Sequence, residues 1–243
     1  MYLEGRRKKK QGLKKRLRKK RKMRMRIKKA SYLGNPNIGF FCFATNDICF
    51  AGMNLSKGVE KSIKEILGVE VVRTTMLGMD LISFFIAGNS NGVIIHKNIE
   101  RKEIKKIKDY TDVMLLDTKY NALGNLILAN DKGCIISGKI RKYGEQIKEF
   151  LHVKKIEVTT INKIALPGSL ASCNNHGCLT HNKINENEKK LIEQALDVQV
   201  IPSTLNNKNP WIRSTIVIND RGAIVGENTT PIEMANVYKL LGD

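Results

Sequence analysis

Apolar residues along this chain come in short runs separated by polar turns, and one order of run, turn, run, loop and helix recurs. The clearest instance starts at Asn121 to Ser137, NALGNLILANDKGCIIS. Leu123 to Ala129 is mostly apolar and short, as a strand buried on both faces would be. Asn130 to Gly133 supplies residues that tolerate positive φ at a hairpin turn, and Cys134 to Ile136 returns as a second strand. Tyr143, Ile147, Phe150 and Leu151 fall on one helical face. Lys155 to Thr160 then alternates apolar and polar positions as an exposed strand does. The predicted unit is ββαβ.

Aligned on the Asn and Gly of ILANDKG, the frame returns at Asn89 and Gly92, Asn174 and Gly177, and Asn219 and Gly222, with FATNDICF as a degenerate first copy carrying Asn46. The Asn-to-Asn steps are 43, 41, 44 and 45 residues. A fixed period of this size marks a repeat architecture. The repeats run over residues 31–75, 76–118, 119–161, 162–206 and 207–243. In the first, the helix is expected near Ser56 to Leu67, and Cys49 stands where later copies have Gly, so that hairpin should close differently. In the second, Leu81 to Ala87 reads as the buried strand and Asn98 to Tyr110 as a very basic helix with a solvated face. Helix starts agree with this frame. Thr230 with Glu233 makes a capping box with Pro231 at the first helical position, Asn185 with Glu188 repeats it, and Ser56 and Asn98 are candidate caps elsewhere. A WD-type propeller shares the period but has four strands per blade and no helix. Five αβ units in a ring is therefore the expected α/β architecture.

The chain ends bear on closure. Met23 to Lys28, MRMRIK, alternates apolar and basic residues, which predicts a strand over 23–29 ahead of the first unit. The fifth unit reaches Asp243 directly after its helix and lacks a closing strand. The N-terminal strand should complete it, sealing the ring and leaving no exposed edge. Residues 23–243 then form one domain, preceded by a tail, 1–22.

Charge singles out that tail. The chain carries +20, but residues 1–29 hold 17 Lys/Arg and one acid, Glu4, so the rest carries only +4. The block comprises Arg6, Arg7, Lys8, Lys9, Lys10, Lys14, Lys15, Arg16, Arg18, Lys19, Lys20, Arg21 and Lys22. Self-repulsion with few apolar groups predicts disorder when free. Nucleic acid is the natural counter-ion, bound with a steep salt dependence and no sequence preference. A solvated tail, or a true start at Met23 or Met25, would explain the same residues. No apolar run approaches the roughly 20 residues that span a bilayer, and no apolar segment follows the N-terminal charge, so a cytoplasmic protein is expected. Five cysteines without framework spacing fit a reducing compartment, with Cys42, Cys134 and Cys173 as small apolar residues and no disulfides.

Candidate chemistry is sparse. Cys173, His176, Cys178 and His181 offer four ligand types in nine residues. Cys173 and His176 flank a turn, however, while Cys178 and His181 should project to opposite faces of a strand, so tetrahedral convergence is not expected and no metal is assigned. No phosphate-cradling Gly loop, GxSxG elbow or HExxH is present, and no cofactor or small-molecule substrate is expected.

LGNLILANDKG with GCIIS, GCLTH at Gly177 to His181, and NDRGAIVGENTT together resemble translation initiation factor 6 in its archaeal form, over Met25 to Asp243. The resemblance implies a pentein fold, a ring of five pseudosymmetric units. It also implies binding to the large ribosomal subunit on its intersubunit face near the sarcin-ricin loop, anti-association activity against the small subunit, and a part in late large-subunit maturation. Such a factor acts by excluded volume, without bond making, and is expected as a monomer; the basic tail would then meet ribosomal RNA. Gly39 in NIGF, Leu81 and Phe84 before AGNSNG, and Asn125 in ALGN match family positions on the subunit-binding face. Each also has a plain reading: Gly39 as a tight start to a strand, Leu81 and Phe84 as core, Asn125 as a partner of nearby backbone groups. Two features depart from the family pattern, the basic tail and Pro210-Trp211-Ile212-Arg213, which replaces a small, Gly-containing approach to the fifth strand. Penteins that act on guanidino groups carry a nucleophilic Cys in the last unit. No Cys or His follows His181 here, so catalysis is not expected. A constitutive ribosomal or RNA-binding protein remains the alternative.

Overall fold

A computed structural model describes residues 26–242. The basic block at 1–22 and the first part of the 23–29 strand lie outside the described residues.

A first strand, β1 (Ile27–Ala30), precedes five units of common order. The first unit has a 3-10 turn α1 (Ile38–Phe40), an antiparallel pair β2 (Cys42–Ala44) and β3 (Ile48–Ala51), a helix α2 (Lys57–Ile66), and β4 (Glu70–Arg73) parallel to β3. The second runs α3 (Ile82–Phe85), β5 (Ala87–Gly88), β6 (Val93–His96), α4 (Arg101–Lys108) and β7 (Val113–Leu116). In the third are α5 (Leu123–Leu126), β8 (Ile127–Ala129), β9 (Gly133–Ile136), α6 (Gly144–Phe150) and β10 (Lys155–Val158), with a 3-10 segment Gly138–Tyr143 leading into α6. The fourth has α7 (Pro167–Leu170), β11 (Ala171–Cys173), β12 (Gly177–His181), α8 (Glu186–Leu196) and β13 (Gln199–Ser203). The fifth has α9 (Ile212–Thr215), β14 (Ile216–Ile218), β15 (Ala223–Gly226) and α10 (Pro231–Leu240).

The result is five three-stranded sheets. The central strands β3, β6, β9, β12 and β15 are buried at every residue, which accounts for their mostly apolar sequences. The fifth sheet has the order β1-β15-β14, with Ile27 opposite Ala223 and Ala30 opposite Gly226 in parallel register. The strand that opens the chain thus fills the place that β4, β7, β10 and β13 fill in the other sheets. Apolar packing crosses the unit joints: Phe43, Phe50 and Val72 of the first unit share a core with Ile82, Ile95 and Ile107 of the second. Each unit alone would leave one face uncovered.

Three sequence expectations need correction. The apolar runs are not single strands. Leu123–Leu126 and Ile82–Phe85 are one-turn helices, and the strands begin only at Ile127 and Ala87. The repeat is αββαβ, and Asn125 lies on a helical turn and not in a strand. The turn is selected by close approach. A Cβ on Gly124 would run into the Ser83 carbonyl oxygen and lie 2.8 Å from that of Ile86, and one on Gly168 would meet the Gly124 oxygen and lie 2.6 Å from that of Ile127. Successive turns pack in order, α1 on α3, α3 on α5, α5 on α7, α7 on α9 and α9 on α1.

The register of the first repeat also differs. Asn130 Oδ1 accepts from the Lys132 and Gly133 amides, and Asn174 and Asn219 act alike in their own turns. In the first unit Thr45 Oγ1 does this, accepting from Asp47 and Ile48. The Thr45 amide donates to Ile48 O as the Asn130 amide donates to Gly133 O, so Thr45, not Asn46, is the template position and Ile48, not Cys49, replaces Gly. A hydroxyl supplies the acceptor that the amide oxygen supplies elsewhere.

The third correction concerns α4, which starts at Arg101 after Glu100 and not at Asn98. The Asn98 amide donates instead to His96 Nδ1 (3.0 Å). Ser56, Asn185 and Thr230 cap their helices as expected, each accepting from the N3 amide.

Candidate interaction surface

The short turns α1, α3 and α5 carry three of the four residues expected to face a partner, and Leu81 immediately precedes α3. Gly39, on α1, is buried against the backbone of Arg213, Ser214 and Ile216. Its plain role is close packing, not a strand start. Leu81 precedes α3 and is half-buried, as are Phe84 on α3 and Asn125 on α5. Phe84 stacks on Phe40 at 4.9 Å between ring centroids, tilted by 33°. Phe40, Phe84 and Asn125 stand at the same position of three consecutive turns, five residues before the template position, so the half-exposed side of each turn is presented in series. Phe40 was missed in the sequence; aligning the repeats on Thr45 would have placed it with Phe84.

The loops entering α3, α7 and α9 are each held by a buried carboxylate. Glu188 accepts from Thr160 Oγ1 (2.5 Å) and from the amides of Asn162, Lys163 and Asn185 at 2.8, 3.0 and 3.2 Å. Glu103 receives Thr75, Leu77 and Gly78 in the same way, and Glu233 receives Thr204, Asn207 and Lys208. Burial by itself pushes these carboxyls up, but the donated hydrogen bonds outweigh it and hold all three below the usual carboxylate range. Several loop residues sit at positive φ, among them Leu77, Asn162 and Lys163, a conformation the carboxylates stabilise by gathering the amides it exposes. Between the first two units, Tyr32 Oη donates to Asp80 Oδ2 (2.5 Å), and Asp80 Oδ1 accepts from the Met53 amide (2.9 Å).

Arg213 occupies the turn position held by Gly39, Ser83, Gly124 and Gly168 in the other units. Its side chain crosses to the second unit, donating to Ile86 O (3.0 Å), with its guanidinium 5.2 Å from the Phe43 ring centroid. Desolvation pulls its pKa down to about 10. It lines a cavity of about 40 Å³ bordered by Phe43, Ile127, Leu128, Ser172 and Val217. Within this chain the fifth turn thus differs from the other four: a long cation stands where they carry glycine or serine.

At the other end of the hairpins the turn tips meet. Asn46 Nδ2 donates to Asp220 (2.7 Å) and Asp131 (3.2 Å), and Asn175 Nδ2 to the same two carboxylates at 2.8 and 2.7 Å. Ser90 Oγ donates to Asp131 (3.0 Å). One residue behind them, Asn89, Asn130, Asn174 and Asn219 each donate to a carbonyl of the following turn, and Asn130 also to Leu196 O (2.9 Å). The recurring Asn therefore joins units as well as closing turns.

Three buried cysteines are held away from the thiolate form. Burial pushes Cys134 up, and hydrogen bonding to a neighbouring thiol, then burial, raises Cys42 and Cys178. His176 is exposed, whereas His181 is buried and depressed by desolvation. Among the described residues no helix is long and apolar enough to cross a membrane.

A model of the eIF-6 family matches residues 27–240. The chain belongs to that family. It is 33% identical to translation initiation factor 6 of Staphylothermus marinus, with 88% of this chain and 97% of the relative covered. It is 32% identical to the factor of Saccharolobus islandicus, over 90% of this chain and all of the relative. Against that of Methanocaldococcus jannaschii the identity is 31%, over 87% and 96%. The matched span of this member of the eIF-6 family contains the short turns, the inter-unit asparagines and Arg213.

Proposed function

We propose that this protein binds the large ribosomal subunit on its intersubunit face, near the sarcin-ricin loop, and blocks premature joining of the small subunit, with a part in late large-subunit maturation. Membership of the eIF-6 family carries the reading. The structure supports it with what such a blocker needs: a stiff body, built from five small sheets tied by buried hydrogen bonds. The five units close into a pentein ring, a single domain over 23–243, a reading supported by the packing of α9 on α1 and by β1 in the fifth sheet. Gly39, Leu81, Phe84 and Asn125 mark the docking face, with Gly39 setting the backbone and the other three supplying half-exposed contact. The tail residues Arg6 to Lys22 add ribosomal RNA contact. The factor works as a cytoplasmic monomer by exclusion and catalyses nothing.

Gradient sedimentation of ribosomal subunits with added protein tests the proposal. The protein should travel with free large subunits and raise their share. Its presence on joined ribosomes, with no rise in free subunits, would favour a constitutive ribosomal protein instead.

A further inference from the structure

The body outside the N-terminal block carries only a small net charge, yet one part of its surface is strongly basic. The loop after β7 and the 3-10 segment Gly138–Tyr143 are joined by the Tyr143 hydroxyl, which donates to Asp117 O. This junction brings Lys119, Lys139, Arg141 and Lys142 together, all exposed. The ammonium groups of Lys119 and Lys139 each lie 5.2 Å from the centroid of the one Tyr120 ring. They are thus at most about 10 Å apart, near the screening length of physiological salt. Lys142 lies 4.8 Å over the Tyr143 ring. Among the described residues none of these four cations has a carboxylate at ion-pair distance, and the neighbouring acid, Asp117, is already paired with Lys97 at 2.7 Å.

A solvated charged face does not ordinarily gather its cations over shared aromatic rings. Tyr120 and Tyr143 hold three lysine ammonium groups over their rings, so the ordering of these like charges is done before any ligand arrives. Lys and Arg interleaved with Tyr is the composition that tracks a nucleic-acid backbone. We propose that Lys119 and Lys139 on the Tyr120 ring and Lys142 on the Tyr143 ring, with the exposed Arg141 next to Lys142 in the chain, form a binding surface for the phosphate backbone of RNA, separate from the basic N-terminal block. That the RNA is ribosomal rests on the function proposed above; that the surface takes RNA does not.

The test is the affinity of the full-length chain for a fluorescein-labelled RNA hairpin, measured across a range of salt. Lys119→Ala, Lys139→Ala and Lys142→Ala combined should make the slope of log affinity against log salt shallower by about 2 to 3, as expected for three lost phosphate contacts. A control losing equal charge elsewhere, Lys57→Ala, Lys183→Ala and Lys190→Ala, should leave the slope near that of the unaltered chain, and the Arg triple at the patch should retain it. Equal slopes for patch and control variants would overturn the proposal. All six positions but none of their backbones are altered at exposed sites, so unchanged circular dichroism melts are expected throughout. The hairpin assay contains no ribosome, so its failure and that of the sedimentation test are separate results.

Discussion

Gly124 faces the carbonyl oxygen of Ser83, in the preceding unit, across a gap too narrow for a methyl group. The carbonyl belongs to packed backbone, so it cannot swing aside as a flexible side chain would. Gly124→Ala should destabilise the fold by about 1–3 kcal/mol, the usual cost of overpacking. Gly138→Ala, where an added Cβ meets only Val158 at 3.8 Å, should be close to neutral. Thermal melts of the two variants compare them directly, and equal melting temperatures would refute the packing role.

Asn130 spends both ends of its amide inside the protein. Its nitrogen reaches Asn174 O (3.1 Å) and Leu196 O (2.9 Å), and its oxygen caps the turn. Asn130→Ala should cost about 2–4 kcal/mol, because several buried backbone groups lose partners at once. Asn130→Asp keeps the turn acceptor but loses the donor to the next unit. It should destabilise less than Ala in urea denaturation, and a larger loss for Asp would place the weight on charge burial instead.

Acid should weaken the fold through Glu103, Glu188 and Glu233. Their pKa values are lower folded than unfolded, so their contribution is complete above the unfolded carboxyl value of about 4.3 and is lost as pH falls through the folded values beneath it. Urea midpoints should fall modestly below about pH 6.5, where His181, with its folded pKa lowered, binds a proton more readily unfolded, and decline further below about pH 4.5 as the three carboxylates protonate. Glu188→Gln should lower the midpoint at neutral pH by about 1–3 kcal/mol in stability terms and flatten the acid decline. A midpoint that rose on acidification through this window would contradict the assignment.

A chain beginning at Ser31 loses β1 and with it Ile27, which is only 2% exposed. It also uncovers the parallel edge of β15 from Ala223 to Gly226. Burial of the Ile27 side chain alone is worth about 1.5–3 kcal/mol, so the truncated chain should melt well below the full one. An unchanged melting temperature would make β1 dispensable.

Much of this was legible in the sequence because it depends on local signals. The period exposed the repeats, Thr230 with Glu233 and Asn185 with Glu188 gave helix starts, and of the strand expected over 23–29 the described part is found at Ile27–Ala30. What escaped depends on contacts between distant residues. A helical turn of four residues such as Leu123–Leu126 is too short to show its own period and reads as the start of the strand after it. Thr45 hid the first register because Asn46, one residue on, looked like the better match, and it was the hydroxyl's hydrogen bonds that decided. The same limit applied to the four positions carried over from the family: sequence placed them in apolar runs, whereas the turns that present Phe84 and Asn125 on one side emerge only from packing.

The place of β1 has a further bearing on synthesis. Four sheets draw on consecutive stretches of chain, and each can assemble as soon as its own residues have emerged. The remaining one joins segments far apart in the chain, so Ile27 must wait in water until Ala223 to Gly226 have been made. Assembly of that sheet is thereby tied to synthesis of β15, and a product cut short before it would carry an orphaned β1.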